Sequence, residues 1–145
     1  MLDSTSFVMT VFLVVGLVEA AKWLAPYENL TEAGCTLDYV YDGDTVSITC
    51  GDQAETARLI GFDTPETKNS GCAMEAALGR EATLYLRHLA SQGVPTFSGS
   101  DRDKYGRLLV TMRVDGTDVG DILIDQGLAV PYRGGTRINW CERLG

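Results

Sequence analysis

Histidine and positive charge are scarce in this sequence. Among 145 residues there is one histidine, His88, and 12 lysines and arginines stand against 20 acidic residues, for a net charge of −8. A single histidine argues against a histidine-ligated zinc site and against a Ser-His-Asp triad. Each of these sites requires an imidazole positioned beside other specific groups. The acidic balance excludes the basic stripe of a protein that binds nucleic acid by bulk electrostatics, so a polyanion would be met by a few placed cations.

The main apolar run is short. Phe7–Val18 has twelve residues, whereas a membrane-spanning helix needs ~20 and the hydrophobic region of a signal peptide has ~7 to 15. Small residues follow the run and permit cleavage before Ala21. An uncleaved anchor over residues 7–25 is the alternative, and an amphipathic helix of the domain ranks third. We therefore expect residues 1–20 to be a signal peptide or membrane anchor, residues 21–34 to be a linker, and the protein to be secreted or periplasmic.

The overall composition is that of one globular domain. Hydrophobic residues make up 45% and charged residues 22% of the chain. Both values are close to globular averages, which argues against disordered, collagen-like, coiled-coil and multi-span membrane proteins. The length suffices for one domain, which we expect over residues 35–145.

A hairpin is predicted near the start of this domain. The turn pair DG at 42–43 separates two short runs of alternating apolar residues, a strong signal for antiparallel strands joined by a two-residue turn. Such a turn fixes the register and places the apolar residues on one face. The facing pairs are then Leu37 with Ile48, Tyr39 with Val46, and Cys35 with Cys50.

Four cysteines predict two disulfides formed in an oxidising compartment. Directly opposed residues of antiparallel strands lie within disulfide range, so the hairpin register favours a bond between Cys35 and Cys50. Cys72 and Cys141 then pair by elimination. A metal-binding set of cysteines is the alternative, although the sequence contains no C-x-x-C spacing.

The predicted elements after this hairpin are a strand, a helix, two strands and a helix. They are placed at Thr56–Phe62, at Met74–Ala90, at Val94–Ser98, at Arg107–Val114 and between Val119 and Gly127. A parallel α/β sheet would need strands and helices to alternate. The order predicts an α+β fold that is mainly β: a five-stranded Greek-key barrel of the OB type with an inserted helix and a second short helix.

Three short motifs carry more charged groups than their local structure needs. The turn formed by DGDT at 42–45 needs only one of its two acids. The segment RLIGFDTPE at 58–66 has the pattern of a helix cap, but no helical pattern follows it. The segment DKYGR at 103–107 would, taken alone, be an ordinary solvated turn. Aspartates ligate hard divalent cations, a glutamate can deprotonate water, and two arginines can hold a phosphate. The set that is typical of phosphodiester hydrolysis is Asp44, Asp63, Glu66, Arg58 and Arg107.

Five motifs follow one another along the chain: DGDTV at 42–46, RLIGFDTPET at 58–67, GREA at 79–82, DKYGR at 103–107 and GLA at 127–129. In this order they resemble the staphylococcal nuclease (thermonuclease) family over about two thirds of the chain, from Thr36 to Tyr132. The resemblance implies an OB-fold endonuclease that uses Ca²⁺ and acts on DNA and RNA. It also implies a preference for single-stranded or frayed substrate and 3′-phosphate products.

The resemblance further implies roles for single residues. Asp44 and Asp63, with the backbone carbonyl of Thr64, are expected to hold Ca²⁺. Glu66 is expected to be the general base that acts on the attacking water. Arg58 and Arg107 are expected to bind the phosphate. The nucleotide pocket is expected to be lined by Lys104, Tyr105 and Tyr132.

The chain also departs from the family. It is acidic where the type member is basic, and only thirteen residues follow Tyr132, which leaves little room for the long C-terminal helix of the type member. We expect a bond between Cys72 and Cys141 to pin this short tail across the start of the first helix. In the loop from Lys68 to Met74, the basic residues of the family are reduced to Lys68.

Two other functions compete with a nuclease. One is a non-catalytic OB module that binds single-stranded nucleic acid or a protein partner, and the other is an extracytoplasmic structural domain kept soluble by its charge. The presence of all five acids and arginines favours the nuclease. We expect a monomer without an obligate protein partner, with a possible membrane tether through residues 7–25.

Overall fold

The structure, a computed structural model, describes residues 34–145. The predicted signal peptide or anchor and residues 21–33 of the predicted linker lie outside the described residues. Within the described range, no helix is long and apolar enough to cross a membrane. In chain order the elements are β1 (Cys35–Val40), β2 (Thr45–Cys50), β3 (Gln53–Leu59), β4 (Gly61–Asp63), α1 (Ala73–Gln92), β5 (Pro95–Arg102), β6 (Leu108–Val114), β7 (Thr117–Asp118), α2 (Val119–Asp125), β8 (Val130–Tyr132) and α3 (Trp140–Leu144).

One main sheet has the strand order β1-β2-β3-β6-β5, and β7 pairs with β6. Strands β3 and β6 run parallel, and the other pairs of the sheet are antiparallel. Strand β4 leaves this sheet and pairs with β8. The predicted α+β fold, mainly β with an inserted helix and a second short helix, is confirmed. Helix α3 is an addition to the prediction, and closure of the sheet into a barrel stays a prediction.

Helix α1 packs one face on the sheet. Its apolar residues recur with the helical period, and Ala82 and Leu86 are fully buried in the core. The helix ends at Gln92 because Gly93 is extended, and Pro95 two residues later cannot donate a hydrogen bond to a further turn. In the chain, α1 lies between β4 and β5 and directly follows the loop that contains Glu66.

The first hairpin keeps only part of the predicted register. A β-bulge after Leu37 shifts the pairing, so that Tyr39 lies opposite Ser47 and not opposite Val46. A bulge sets two residues of one strand against one of the other, which turns side chains away from their expected face. The predicted two-residue turn is a four-residue connection between β1 and β2. The confirmed pairs are Cys35 with Cys50 and Leu37 with Ile48.

Two other predicted strands have different bounds. The strand predicted over Thr56–Phe62 divides into β3 and β4 near Gly61, whose positive φ of 96° bends the chain away from the main sheet. The strand predicted to end at Ser98 continues to Arg102. A bulge there places Gly99 against the carbonyl of Leu109, where a Cβ atom would lie only 2.3 Å from that oxygen, so glycine alone lets the ladder continue.

Both disulfides have the predicted pairing, one favoured by the hairpin register and the other obtained by elimination. Cys35 is bonded to Cys50 across β1 and β2. Cys72, the residue before α1, is bonded to Cys141 in α3. The second bond holds the C-terminal tail at the start of α1, as expected, and Trp140 is buried beside it.

Candidate functional site

Two buried aspartates form the centre of the candidate site. Asp44 ends the loop between β1 and β2, and Asp63 ends β4; they are 3% and 1% exposed. Thr64, which is also buried, joins them: its backbone N–H and its hydroxyl both donate to Asp44 Oδ2, at 3.4 Å and 3.0 Å. Gly43 permits this contact, because a Cβ atom there would lie 2.8 Å from the Thr64 side chain.

Arg58 binds both aspartates from the neighbouring strand β3. Its Nη1 lies 2.7 Å from Asp44 Oδ1, and its Nη2 lies 3.3 Å from Asp63 Oδ1. Burial raises the pKa of the Asp44 carboxyl to about 7, although the positive charge of Arg58 acts in the opposite direction. The ionised form of a buried carboxyl with a raised pKa is stabilised by a further positive charge, so the surroundings of Asp44 favour a cation.

Arg137, from the tail before α3, supplies a second guanidinium. Its Nε lies 2.6 Å from Asp63 Oδ1, its Nη1 lies 2.5 Å from Glu66 Oε1, and its Nη2 donates to the carbonyl of Thr64 at 3.1 Å. Burial alone would lower the pKa of Arg137, but the hydrogen bond to Glu66 and the charge of Asp63 raise it above its ordinary value. Arg137 therefore joins three residues that the sequence resemblance assigns to a metal ion and its base.

Trp140 completes the surroundings of Asp63. Its indole Nε1 donates to Asp63 Oδ2 at 3.1 Å, and the ring is buried. Because α3 is bonded to Cys72, this donor is anchored at the start of α1. Both oxygens of Asp63 thus accept hydrogen bonds from the C-terminal tail.

The loop after Asp63 is fixed by α1. Glu75, in the first turn of the helix, accepts hydrogen bonds from the backbone N–H groups of Glu66, at 3.2 Å, and of Gly71, at 2.7 Å. Gly79, one turn later, packs on the backbone of Pro65 and Glu66, where a Cβ atom would lie 2.7 Å from the Pro65 carbonyl oxygen. These contacts explain why the cap-like motif at 58–66 has no helix directly behind it: the loop closes onto the side of α1.

A cavity of about 790 Å³ lies beside the acids. Arg58 and Arg137 form part of its wall, so it adjoins the carboxylates that they bind. Tyr132 also lines it, and its hydroxyl donates to the carbonyl of Gly135 at 2.7 Å. The other predicted site residues in the wall are Lys104, Tyr105 and Arg107.

Arg107 lines the same cavity as Arg58, but its guanidinium pairs with Asp103 and not with Asp44, Asp63 or Glu66. Its Nε lies 2.7 Å from Asp103 Oδ2, and its guanidinium carbon lies 5.7 Å from the centre of the Tyr105 ring. Asp103 also accepts the backbone N–H groups of Tyr105 and Arg107, which builds a tight turn between β5 and β6. The structure thus brings Arg58 into contact with Asp44 and Asp63, and places Arg107 in the wall of the cavity.

The donor set suits a hard divalent cation. Asp44 and Asp63 are carboxylates, Thr64 contributes a carbonyl, and oxygen ligands of this kind are those that Ca²⁺ takes. Arg137 already contacts Asp63, the Thr64 carbonyl and Glu66. A cation that uses Asp63 and the Thr64 carbonyl would compete with this guanidinium for the same oxygens.

Arg137, Trp140 and Glu75 are site residues that the sequence reasoning missed. Arg137 and Trp140 lie in a tail without helical or strand periodicity, and Glu75 has the appearance of an ordinary surface acid of a helix. One signal was available: a bond between Cys72 and Cys141 brings the tail to the loop after Asp63, and a polar tryptophan N–H there needs a buried acceptor.

Comparison with known proteins gives consistent matches. The sequence model of the family described as "Staphylococcal nuclease homologue" matches residues 56–140. SPbeta prophage-derived endonuclease YokF of Bacillus subtilis (strain 168) is 38% identical over 97 residues, which cover 65% of this chain and 32% of that protein. Endonuclease YncB of the same strain is 37% identical over 97 residues, or 65% of this chain and 46% of that protein.

A third relative comes from another genus. Thermonuclease of Staphylococcus hyicus is 31% identical over 107 residues, which cover 72% of this chain and 63% of that protein. The chain thus spans between about a third and a half of the two Bacillus subtilis proteins. The family match begins after Asp44, so the place of Asp44 beside Asp63 rests on the structure.

Proposed function

Because this chain belongs to the staphylococcal nuclease family, we propose that it is an endonuclease that hydrolyses phosphodiester bonds of DNA and RNA. The observation that carries the proposal is the buried pair Asp44 and Asp63, bound by Arg58 and followed by Glu66, beside a cavity lined with cations and tyrosines. We further propose that single-stranded or frayed substrate is preferred and that the products carry 3′-phosphates. In an acidic chain, few cations can bind an intact duplex, whereas an unpaired strand can enter the cavity.

Asp44 and Asp63, with the Thr64 carbonyl, are the groups that would hold Ca²⁺. When bound there, the ion would neutralise charge on the phosphate and orient it. Hydrogen bonds already orient both carboxylates. The hydroxyl and N–H of Thr64 donate to Asp44, and the Trp140 indole donates to Asp63.

Glu66 is the proposed general base. Its side chain is partly exposed beside the buried acids and is held by Arg137. Glu66 would take a proton from water as the water oxygen bonds to phosphorus and the bond from phosphorus to the 5′ oxygen breaks. Arg58 and Arg107 would bind the phosphoryl oxygens and stabilise their increasing negative charge, once Arg107 releases Asp103.

Three cavity residues are suited to hold a nucleotide. Tyr105 is strongly exposed and has cations on its ring, with Lys104 Nζ 5.0 Å from the ring centre. A tyrosine ring can stack on a base, and a lysine can bind a terminal phosphate. Tyr132, at the end of β8, also lines the cavity and completes this proposed nucleotide pocket.

The proposed location is outside the cytoplasm. Both disulfides are formed between cysteines of the described domain, and disulfides persist in oxidising compartments. The apolar run before residue 20 would act as a signal peptide or as a tether to the membrane. We propose that the protein acts there as a monomer on nucleic acid.

Cleavage of heat-denatured DNA tests the function. The disulfide-bonded chain should cleave it in millimolar Ca²⁺ and not in excess chelator. Glu66→Gln should lower the rate at least ~100-fold, because general acid-base catalysis contributes about 10² to 10⁴. Glu81→Gln, on the exposed face of α1, is the matched control and should cleave as the wild type does. If the folded protein does not cleave, the non-catalytic OB module becomes the better reading.

A further inference from the structure

The cations of this acidic chain are concentrated on two cavities. Of 12 lysines and arginines, five line the cavity described above. Three more line a second cavity of about 350 Å³ between α1 and the loop that follows β1. We call it the α1 groove. Its wall consists of Tyr41, Thr67, Lys68, Arg80, Thr83, Leu84 and Arg87.

The wall of the α1 groove carries positive charge without an acid to neutralise it. It contains three cations and no carboxylate. Arg87 is held by neutral groups: it donates to the carbonyl of Val40 at 2.8 Å and to the hydroxyl of Tyr39 at 3.0 Å. Within the described residues, the side chains of Lys68 and Arg80 have no hydrogen bond or ion pair. Such a set attracts anions and is free to bind them.

An aromatic surface accompanies these cations. Tyr41 is 49% exposed, and its ring packs edge-on against that of Tyr39, with 5.2 Å between their centres. Arg87 lies 5.1 Å from the centre of the Tyr39 ring. Leu84, in the same wall, is 62% exposed. Exposed rings beside cations are the surface on which unpaired bases stack while the backbone is neutralised.

The α1 groove adjoins the acids from another part of the chain. Thr67 and Lys68 follow Glu66 directly, and Tyr41 begins the connection that ends at Asp44. The first cavity meets the same acids through Arg58 and Arg137. Residues of both cavities therefore neighbour the acids, through direct contacts of Arg58 and Arg137 for the first cavity and through the sequence for the α1 groove.

We propose that the α1 groove is a second binding site for single-stranded nucleic acid, in which Lys68, Arg80 and Arg87 bind backbone phosphates and Tyr41 stacks on a base. The proposal rests on the proposed function for its class of ligand. One strand would occupy both cavities and pass the acids between them. Longer single strands then bind more tightly than mononucleotides, which fill the first cavity alone.

Binding measured without cleavage tests the site. Fluorescence anisotropy in excess chelator would compare a labelled mononucleotide with a labelled single strand of about twelve nucleotides, a length that exceeds one small site. The test variant is Lys68→Gln with Arg80→Gln, and the control is Arg113→Gln with Arg143→Gln, which removes the same charge outside both cavities. All chains are full length and disulfide-bonded, and circular dichroism verifies their folding.

The expected result is specific to the long strand. The test variant should bind the twelve-nucleotide strand about tenfold more weakly or worse, with a salt slope smaller by about 1.4, since each phosphate contact to a single strand contributes ~0.7. Its mononucleotide affinity should match the wild type. Tyr41→Leu should weaken binding of the long strand by about five- to a hundredfold through loss of stacking.

The outcomes separate this site from the nuclease activity. If the wild type cleaves DNA but the test and control variants bind the long strand equally well, with equal salt slopes, the α1 groove is not a binding site and the nuclease stands. If binding depends on the α1 groove but no cleavage occurs in Ca²⁺, the site stands and the nuclease fails. Failure of the wild type to bind the long strand more tightly than the mononucleotide at low salt would overturn the proposal.

Discussion

Arg137 and Asp63 form an ion pair between the C-terminal tail and the end of β4, with Nε 2.6 Å from Oδ1. The same carboxylate oxygen accepts a hydrogen bond from Arg58 Nη2 at 3.3 Å, and Asp63 is almost completely buried. A buried carboxylate is stabilised by such pairing, which takes the place of solvent. The tail is thus part of the site, and Arg137 occupies a carboxylate oxygen with which a cation at Asp63 would interact.

Removal of Arg137 should therefore strengthen cation binding. We expect Arg137→Gln to raise the affinity for Tb³⁺, a Ca²⁺ substitute, up to about tenfold, because a partly exposed ion pair is worth on the order of 1 kcal/mol. Trp140, which contacts Asp63, would sensitise the luminescence of the ion in a Trp23→Phe background that leaves it as the single tryptophan. Titration of the luminescence gives the affinity.

The control for this measurement is Arg143→Gln in the same tail, which should bind Tb³⁺ as the parent chain does. An unchanged or weaker affinity in Arg137→Gln would show that the guanidinium supports the cation site and does not compete with it.

The sequence is informative about Arg58, Asp44 and Asp63 because each belongs to a local motif whose acids exceed the needs of its turn. It is informative about α1 because Ala82 and Leu86 recur with a strong helical period. It fails at Tyr39, since a β-bulge depends on the fit of both strands and has no local signature. It fails at Arg137 because an irregular tail obtains its position from the distant Cys72 and from burial of Trp140, and neither contact is local in sequence.

The raised pKa of Asp44 predicts how stability depends on pH in metal-free protein. The folded value of about 7 lies above the ordinary value of 3.8. Between these two values the folded chain binds more protons than the unfolded chain, so the free energy of unfolding falls as the pH rises from about 4 to about 7. Over this window the loss due to Asp44 is on the order of a few kcal/mol.

Urea unfolding in chelator at several pH values checks this effect. Asp44→Asn has no proton to lose and should show a flatter dependence between pH 4.5 and 7.5, while Asp101→Asn, at an exposed position of β5, should follow the wild type. Identical slopes in the wild type and in Asp44→Asn would mean that Asp44 keeps an ordinary pKa in the folded chain.

The two disulfides should differ in what they stabilise. Cys72 and Cys141 are 69 residues apart and Cys35 and Cys50 are 15 apart. Chain entropy then predicts losses of about 4 and about 3 kcal/mol when each pair is replaced by serine. Only the replacement of Cys72 and Cys141 should also expose Trp140, because this ring is buried next to Cys141. Urea unfolding gives the stability, and tryptophan emission in the Trp23→Phe background reports the exposure.

Equal tryptophan emission in both serine double variants would contradict this expectation. It would show that Trp140 stays on Asp63 through its own hydrogen bond and packing, without help from the disulfide.

Gly79 links the stability of α1 to the position of Glu66. At an exposed helix position, alanine in place of glycine would stabilise the chain by up to ~1 kcal/mol. At Gly79 the new Cβ atom would lie 2.7 Å from the carbonyl oxygen of Pro65 and 2.9 Å from that of Glu66. Both neighbours are backbone atoms, so the loop has to move. We expect Gly79→Ala to destabilise the chain by about 1 to 3 kcal/mol, as overpacking does, and to lower turnover because Glu66 is displaced.

Ala77→Gly, at an exposed position of the same helix, separates these two effects. It should cost about 1 kcal/mol through helix propensity alone and leave turnover unchanged. Urea unfolding and the DNA cleavage assay measure both quantities in the two variants. If Gly79→Ala proved more stable than the wild type and equally active, the close contact between α1 and the Glu66 loop would not exist in solution. The stability of α1 would then be independent of the position of Glu66.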